Sequence, residues 1–345
     1  MAAPDLLTDL LKAVSRSFYL TLRVLPGAIR PQIGLAYLLA RTTDTIADTE
    51  IVPVADRLKA LDQLRARILG QRTARLDFSR FTRADTAASQ TAAERVLLDR
   101  IEEAIAVLAG LRTEDQERVR GVLTTITSGQ ELDLRRFGAG QTLPNGSTLA
   151  VRALATDEKL DDYTYRVAGC VGEFWTKMCR AHLFPRAALD DSFLLANGVR
   201  FGKGLQLVNI LRDLPKDLRL GRCYLPSNSL AEIGLAPADL LDPAQEPRLR
   251  PLYDRYLNLA QAHLAAGWAY TRALPRGCVR VRLACAWPVL IGVKTLDRLR
   301  AGRVLDPVQR IKVSRADVRQ IMVRTLVRYP FAVAWDRQFD DAGGR

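Results

Sequence analysis

The spacing of apolar residues follows a helical period along almost the whole chain. Apolar side chains recur every three or four positions, and no run shows the alternation typical of a half-buried strand. The pattern predicts nine helices, at about 32–49, 53–69, 91–109, 114–136, 156–183, 191–214, 245–273, 279–300 and 315–327. We therefore expect an all-α protein.

The segments between the predicted helices carry the residues that interrupt regular structure. They are polar or contain glycine and proline, at 71–90, 138–147, 184–186 and 221–226. None is long or polar enough to divide two domains cleanly, and no internal repeat recurs at a fixed period. The expected organisation is a single domain over residues 1–345.

Composition adds a basic bias to this picture. The chain has 51 Lys and Arg residues against 38 Asp and Glu residues, a formal charge of +13. Such a balance favours anionic partners, which include nucleic acid, membrane surfaces and phosphorylated small molecules. Net charge alone does not choose among these partners.

Cysteine and histidine usage argues against a zinc site. The five cysteines form no CxxC pair, and only His182 and His263 are present. The N-terminus lacks the features of a signal peptide, and the uncharged run 283–293 is too short to span a bilayer. We expect a cytoplasmic protein with no transmembrane anchor, whose membrane contact would be peripheral.

Two aspartates four positions apart, Asp44 and Asp48, lie one turn after Arg41. Like charges at this spacing repel each other by a few tenths of a kcal/mol on an exposed helix. Taken alone, the pair is typical of a solvated helix face.

A second pair, Asp213 and Asp217, repeats the arrangement beside Arg212. Asn209 lies four residues before Asp213, and Gln206 lies one turn earlier, so on a helix these side chains share a face. Two such pairs, far apart in sequence and each beside an arginine, indicate a function.

The residue types suit one kind of chemistry. Magnesium prefers oxygen ligands and commonly binds one or two carboxylates together with substrate phosphates. Arginine binds the remaining phosphate oxygens through its planar fork. Such a site stabilises a departing diphosphate, and an apolar helical cavity would shelter the resulting carbocation from water.

Several motifs resemble one family and occur in its order. They are SRSFY at 15–19, YLLARTTDTIAD at 37–48, GQELD at 129–133, YTYRVAGCVG at 163–172 and GKGLQLVNILRDLPKDLRLGRCYLP at 202–226. These stretches look like those of the squalene and phytoene synthases, which join two isoprenyl diphosphates head to head. CAWPVLIGVKTL at 285–296 is similar to the squalene synthase branch, and IKVSR at 311–315 resembles its NADPH-contacting segment.

The resemblance implies roles for individual residues. The metal ligands would be Asp44, Asp48, Asn209, Asp213 and Asp217, holding two or three Mg²⁺ ions with diphosphate. The phosphate- and substrate-binding set would be Arg16, Ser17, Tyr37, Arg41, Gln206, Arg212 and Arg222. Tyr163 would move a proton during cyclopropane closure. Cys285 and Pro288 would line the inner apolar pocket, and Lys312 and Arg315 would contact NADPH.

Two positions depart from the family pattern. Eukaryotic squalene synthases carry an acidic residue where this chain has Ala47, so one metal contact is expected to be missing or replaced by water. Pro215 lies between the second pair of aspartates and can kink or end a helix. Whether Asp217 reaches a metal from beyond Pro215 is therefore open, and the predicted helix stops at residue 214.

The implied activity is conversion of two farnesyl diphosphates to presqualene diphosphate and then, with NADPH, to squalene. The alternatives are a phytoene or dehydrosqualene synthase and an enzyme that stops at presqualene diphosphate. A terpene cyclase fits the YTYRVAG and GRCYLP stretches less well. A basic helical module for nucleic acid or membranes would explain the charge but not the paired aspartates, which repel phosphate without a metal.

Overall fold

The structure is a computed structural model that describes residues 5–15, 19–82, 91–138 and 150–343. The expected all-α fold is confirmed: the described residues form helices, with only two strands of two residues each. Residue contacts group the chain into two compact units, Met1–Ala139 with Lys177–Pro185, and Gly140–Thr176 with Arg186–Arg345. The single domain over 1–345 stays a prediction.

The first unit is built around one long helix, α3. Within residues 5–138, its helices are α1 (Leu11–Ser15), α2 (Tyr19–Val24), α3 (Arg30–Asp48), α4 (Val54–Ile68), α5 (Ser79–Thr82), α6 (Ala92–Asp99), α7 (Ile101–Ala109) and α8 (Thr113–Phe137). A π-helical turn at Leu6–Leu10 precedes α1. Helix α3 packs against α4, α6, α7 and α8. Its apolar face, with Leu35, Leu38, Leu39 and Ile46, is fully buried, which leaves the opposite face for polar side chains.

The second unit holds the remaining long helices. These are α9 (Asp157–Thr164), α10 (Cys170–His182, whose residues from 177 onward belong to the first unit), α11 (Asp191–Arg219), α12 (Ser227–Glu232), α13 (Glu246–Ala273), α14 (Val279–Ala301), α15 (Arg315–Arg328), α16 (Ala332–Asp336) and α17 (Gln338–Asp341). Strands β1 (Arg152–Ala153) and β2 (Arg222–Cys223) pair in parallel, and 3₁₀ turns lie at Pro237–Leu241 and Pro243–Gln245. Helices α11 and α13 pack along each other most extensively, and α14 packs on both.

Three of the predicted helices differ from those observed. The segment 91–109 is two helices, because the backbone of Arg100 leaves the helical region with φ −102° and ψ 17°. The segment 156–183 is interrupted by a π-helical turn, Tyr165–Gly169. Helix α11 does not stop at residue 214 but continues through Pro215 to Arg219.

Glycines explain the close packing of the π-helical turn and α10 against α11. A Cβ atom at Gly172 would stand 1.8 Å from the carbonyl oxygen of Gly198, and one at Gly202 would stand 2.1 Å from that of Ala168. Only glycine permits backbones to approach this closely.

Within the described ranges, no helix combines the length and apolar character needed to cross a bilayer.

Candidate active site

The polar face of α3 carries four of the predicted site residues. Tyr37, Arg41, Asp44 and Asp48 follow one another at intervals of four, three and four, so they lie along one side of the helix. The end of this helix is anchored by buried Arg57, whose Nη1 donates to the carbonyl of Ala47 at 2.7 Å. Ala47, the position where the family resemblance predicted an acidic residue, is itself buried.

Arg41 contacts two carboxylates. Its Nη1 lies 3.8 Å from Asp44 Oδ2, and its Nη2 donates to Glu94 Oε1. Glu94 also closes the capping box of α6 by accepting from the backbone of Thr91. Burial opposes ionisation of Glu94, but Thr91 and Arg41 together hold its pKa below the usual range. Glu94 therefore stays charged and fixes the direction of the arginine.

Asp44 is contacted by a side chain from another helix, and its pKa is shifted. The Nε2 of Gln130, on α8, donates to Asp44 Oδ1. The Asp44 side chain keeps 45% of its surface exposed, so water reaches its edge, while protein atoms crowd the carboxyl group. Desolvation, and next the charge of Asp48, raise the pKa of Asp44 to about 7. Arg41 and Gln130 oppose this rise without cancelling it.

The α3 donor set fits a hard divalent cation. Asp44 and Asp48 provide oxygen ligands only, and their mutual repulsion is of the kind that a bound cation relieves. In the described part of the chain, no three His, Cys, Asp or Glu side chains form a metal cluster by themselves. One or two carboxylates with water and phosphate ligands are the set that magnesium commonly takes.

The second predicted face lies on α11. Gln206, Asn209, Asp213 and Asp217 are all helical residues of this element, spaced to lie on one side. Pro215 lacks the N–H that would bond to the carbonyl of Leu211 four residues earlier. The hydroxyl of Tyr253, on α13, donates to that carbonyl at 2.9 Å. This bond explains why the helix continues, and it keeps Asp217 on the helix.

Arg212 forms a two-pronged ion pair with its neighbour Asp213. Nε donates to Oδ1 at 2.9 Å and Nη2 to Oδ2 at 2.7 Å. The hydrogen bond to Asp213, stronger than the opposing burial, raises the pKa of Arg212 above its usual value. The pair therefore holds a carboxylate and a guanidinium side by side on α11.

Tyr163 is buried at the end of α9. Its ring stacks on that of Tyr224, with centroids 4.8 Å apart and planes inclined by 22°. The π-helical turn Tyr165–Gly169 follows directly. Such turns frequently occur at functional sites, and this one ends where the glycine contacts with α11 begin.

The remaining predicted residues have the following places. Arg222 lies on β2, paired with Arg152 of β1. Cys285 and Pro288 lie within α14. Cys285 is buried, and desolvation raises the pKa of its thiol to about 12, which argues against a nucleophilic role. Lys312 and Arg315 are exposed at the start of α15. Arg16 and Ser17 lie outside the described residues.

Comparison with known proteins decides the family. The squalene/phytoene synthase model matches residues 11–317. The chain belongs to the squalene/phytoene synthase family. The resemblance seen in the sequence motifs is thereby confirmed.

Two relatives in this family carry different names. A presqualene diphosphate synthase of Rhodopseudomonas palustris is 30% identical over 78% of this chain and 78% of its own length. A bifunctional lycopene cyclase/phytoene synthase of Arthroderma gypseum is 27% identical over 73% of this chain but only 39% of its own length. The chain thus spans well under half of that fungal relative.

A solved structure supports the fold of this family member. The complex of TcSQS with the ligand E5700 has a TM-score of 0.73 and 20% sequence identity, covering 98% of this chain and 95% of that one. Identity at this level establishes the shared fold and not the product.

Gln130 and Glu94 are site residues that the sequence interpretation did not assign. Gln130 lies within the GQELD motif, so the motif itself was the available signal. Glu94 is marked only by its capping-box spacing from Thr91, which predicts a helix start and not a contact with Arg41. The assigned metal, substrate and catalytic roles stay predictions.

Proposed function

We propose that this family member joins two farnesyl diphosphates head to head to give presqualene diphosphate, and then reduces that intermediate with NADPH to squalene. Family membership and the name of the presqualene diphosphate synthase relative support the first reaction. The similarity of residues 285–296 to the squalene synthase branch supports the second.

The observation that carries the proposal is the pair of acidic helix faces. On α3, Asp44 and Asp48 lie beside Arg41, and on α11, Asp213 and Asp217 lie beside Arg212. We infer that both faces bind substrate diphosphate through metal and arginine. In a nucleic-acid-binding module, paired carboxylates would repel the phosphate backbone.

The residues that would hold Mg²⁺ are Asp44, Asp48, Asn209, Asp213 and Asp217. Bound Mg²⁺ would supply Lewis-acid stabilisation of the negative charge on the departing diphosphate. Arg41 and Arg212 would bind the oxygens that the metal does not. Gln130 would hold Asp44 in the orientation needed for coordination.

Tyr163 is the proposed proton carrier in the condensation. Closing the cyclopropane ring requires loss of a proton from the condensing farnesyl unit. A phenol has a pKa near 10, so it accepts this proton only where nearby positive charge favours phenolate. Its burial against Tyr224 would keep water away from the cation.

The reductive step rests on fewer residues. Lys312 and Arg315 would pair with NADPH phosphates, as the IKVSR resemblance implies, and both are exposed. The described residues contain no strand long enough for a dinucleotide-binding βαβ unit. The alternatives are a presqualene diphosphate synthase and a phytoene or dehydrosqualene synthase. One relative is named presqualene diphosphate synthase, and another is named bifunctional lycopene cyclase/phytoene synthase.

Product analysis with and without NADPH tests the proposal. Purified protein is incubated with farnesyl diphosphate and Mg²⁺, and the products are identified by mass spectrometry. Squalene formed only with NADPH, with presqualene diphosphate accumulating without it, is the expected result. Presqualene diphosphate in both reactions would remove the reductive step, and dehydrosqualene in both would assign the chain to the pigment branch. Turnover of geranylgeranyl diphosphate alone would overturn the substrate.

A further inference from the structure

A cavity of about 470 Å³ in the second unit lies away from the acidic face of α11. The ends of α13, α15 and α16 and the start of α14 surround it. Its lining includes Arg272, Arg276, Arg282, Tyr329, Trp335 and Asp336. Phe193 also lines it. Phe193 precedes Asp213 by twenty residues on α11, which corresponds to about 30 Å along a straight helix.

The charges around this cavity do not balance. Three arginines line it together with a single carboxylate, Asp336. Both oxygens of that carboxylate are engaged by Arg272, at 2.9 Å from Nε and 3.0 Å from Nη2. Arg276 and Arg282 therefore face the cavity without a carboxylate of their own in its lining.

Arg282 is the centre of this imbalance. The residue is 5% exposed, and its Nη1 donates to the carbonyl of Leu274 at 3.2 Å. Its guanidinium lies 5.0 Å from the ring centroid of Trp335 and 5.6 Å from that of Tyr329. Buried charges in proteins are ordinarily paired with an opposite charge, whereas this one is flanked by aromatic rings.

Two buried N–H donors of the lining have no acceptor among the described residues. They are Nε of Arg282 and Nε1 of Trp335, which is itself 2% exposed. Burial, together with repulsion from Arg276 and Arg272, holds the pKa of Arg282 below its usual range, even though Tyr329 and Asp336 oppose this effect. An anion with several acceptor oxygens would satisfy both donors and balance the charge.

We propose that this cavity binds an anion of the phosphate class, held by Arg276 and Arg282 and by the indole N–H of Trp335. Arginine forks match phosphate oxygens, and the aromatic walls suit an apolar portion attached to the phosphate. The anion is either a free phosphorylated molecule or a lipid headgroup, since Phe331 and Val333, 64% and 66% exposed, lie beside the lining.

Calorimetric titration with inorganic diphosphate, in EDTA, tests the free-anion source. Arg276→Gln is expected to weaken one binding site by about tenfold or more, because a charge-assisted hydrogen bond is lost. Arg282→Lys, which keeps the charge but loses the fork, should weaken the same site. Arg280→Gln removes an exposed arginine of the same helix outside the cavity lining and is the matched control. Arg212→Gln should leave this site intact, which separates it from the proposed active site.

Co-sedimentation with vesicles tests the lipid source. Vesicles of phosphatidylcholine with phosphatidylglycerol are compared with vesicles of phosphatidylcholine alone, using the same variants. Loss of binding in Arg276→Gln but not in Arg280→Gln, in either assay, supports the cavity site and identifies its source. Absence of binding in both assays, or equal weakening by Arg276→Gln and Arg280→Gln, would overturn the proposal.

Discussion

At the scale of single residues, the surroundings of Asp44 explain how two like charges can be kept four positions apart. Gln130 and Arg41 direct the carboxyl group, while desolvation and Asp48 raise its pKa to about 7. Side chains held in an unfavourable charge state often mark sites that bind a counter-charge.

Asp44→Asn is expected to lower kcat about 100-fold or more, because it removes a charged ligand that stabilises the departing diphosphate. The melting temperature should not fall, since the variant relieves repulsion with Asp48. Steady-state kinetics and thermal unfolding measure both. Asp62→Asn, at an exposed carboxylate of α4, is the control and should leave kcat unchanged. Normal turnover in Asp44→Asn would contradict the metal assignment.

Gln130→Met keeps the size of the side chain but removes the donor to Asp44. We expect the Mg²⁺ concentration for half-maximal rate to rise about 10- to 100-fold, the usual effect of losing a partner that orients a metal ligand. A purely structural role for Gln130 would change stability and leave the Mg²⁺ dependence unaltered. A magnesium titration of the rate distinguishes the two.

His263 makes a prediction about pH. Desolvation, with Arg200 and Lys203 nearby and Asp161 opposing them, lowers its pKa to about 4 in the folded protein. The unfolded value is about 6.5, so the stabilisation is present above pH 6.5 and is lost as the pH falls toward 4. His263→Gln should lose less unfolding free energy over this window, by up to about 3 kcal/mol. Denaturant unfolding at pH 7 and pH 4.5 measures this difference. If the wild-type protein and His263→Gln lose the same unfolding free energy between the two pH values, the lowered pKa of His263 is refuted.

At the scale of elements, the sequence period predicted every long helix but not where some of them are interrupted. Pro215 suggested an end to α11, and the helix continues because Tyr253, forty-two positions after Leu211, donates to the Leu211 carbonyl that the proline cannot reach with an N–H. The contacts from Gln130 and Glu94 likewise come from other helices. Motif and period describe local structure, whereas these partners depend on tertiary packing, so they could not be read from spacing.

Tyr253→Phe is expected to destabilise the fold by about 1–3 kcal/mol, because the carbonyl of Leu211 loses its donor in a buried position. In a Pro215→Ala background the alanine N–H can bond to that carbonyl, so Tyr253→Phe should cost much less. Denaturant unfolding of the four proteins measures the coupling. Additive effects would show that the hydroxyl does not replace the proline's missing bond.

Gly172→Ala tests the close packing of α10 on α11. Its methyl group would meet the Gly198 carbonyl, so we expect a loss of about 3 kcal/mol. Gly121→Ala, in the exposed middle of α8 with open space around it, is the matched control and should stabilise by up to about 1 kcal/mol. Similar thermal shifts in the two variants would contradict the packing argument.

At the scale of the whole molecule, the helical period of apolar residues predicted the all-α fold and the order of five motifs predicted the family, and both are confirmed. The motif residues of α3 and α11 lie on contiguous helical stretches, where residues three or four positions apart in sequence are also spatial neighbours. The product is not determined in the same way, because 20–30% identity to relatives and solved structures does not distinguish one product of this family from another. Relatives named for different products match this chain at similar identity, 27% and 30%.

The ratio of diphosphate released to farnesyl diphosphate consumed, measured with Mg²⁺ and without NADPH, distinguishes head-to-head condensation from other reactions of the same substrate. Head-to-head condensation to presqualene diphosphate predicts one diphosphate for every two farnesyl diphosphates, together with a thirty-carbon cyclopropyl diphosphate in the mass spectrum. Asp44→Asn and Asp213→Asn should lower the rate at which both products appear by about 100-fold or more. One diphosphate per farnesyl diphosphate with only fifteen-carbon products would indicate cyclisation or hydrolysis and would contradict the account.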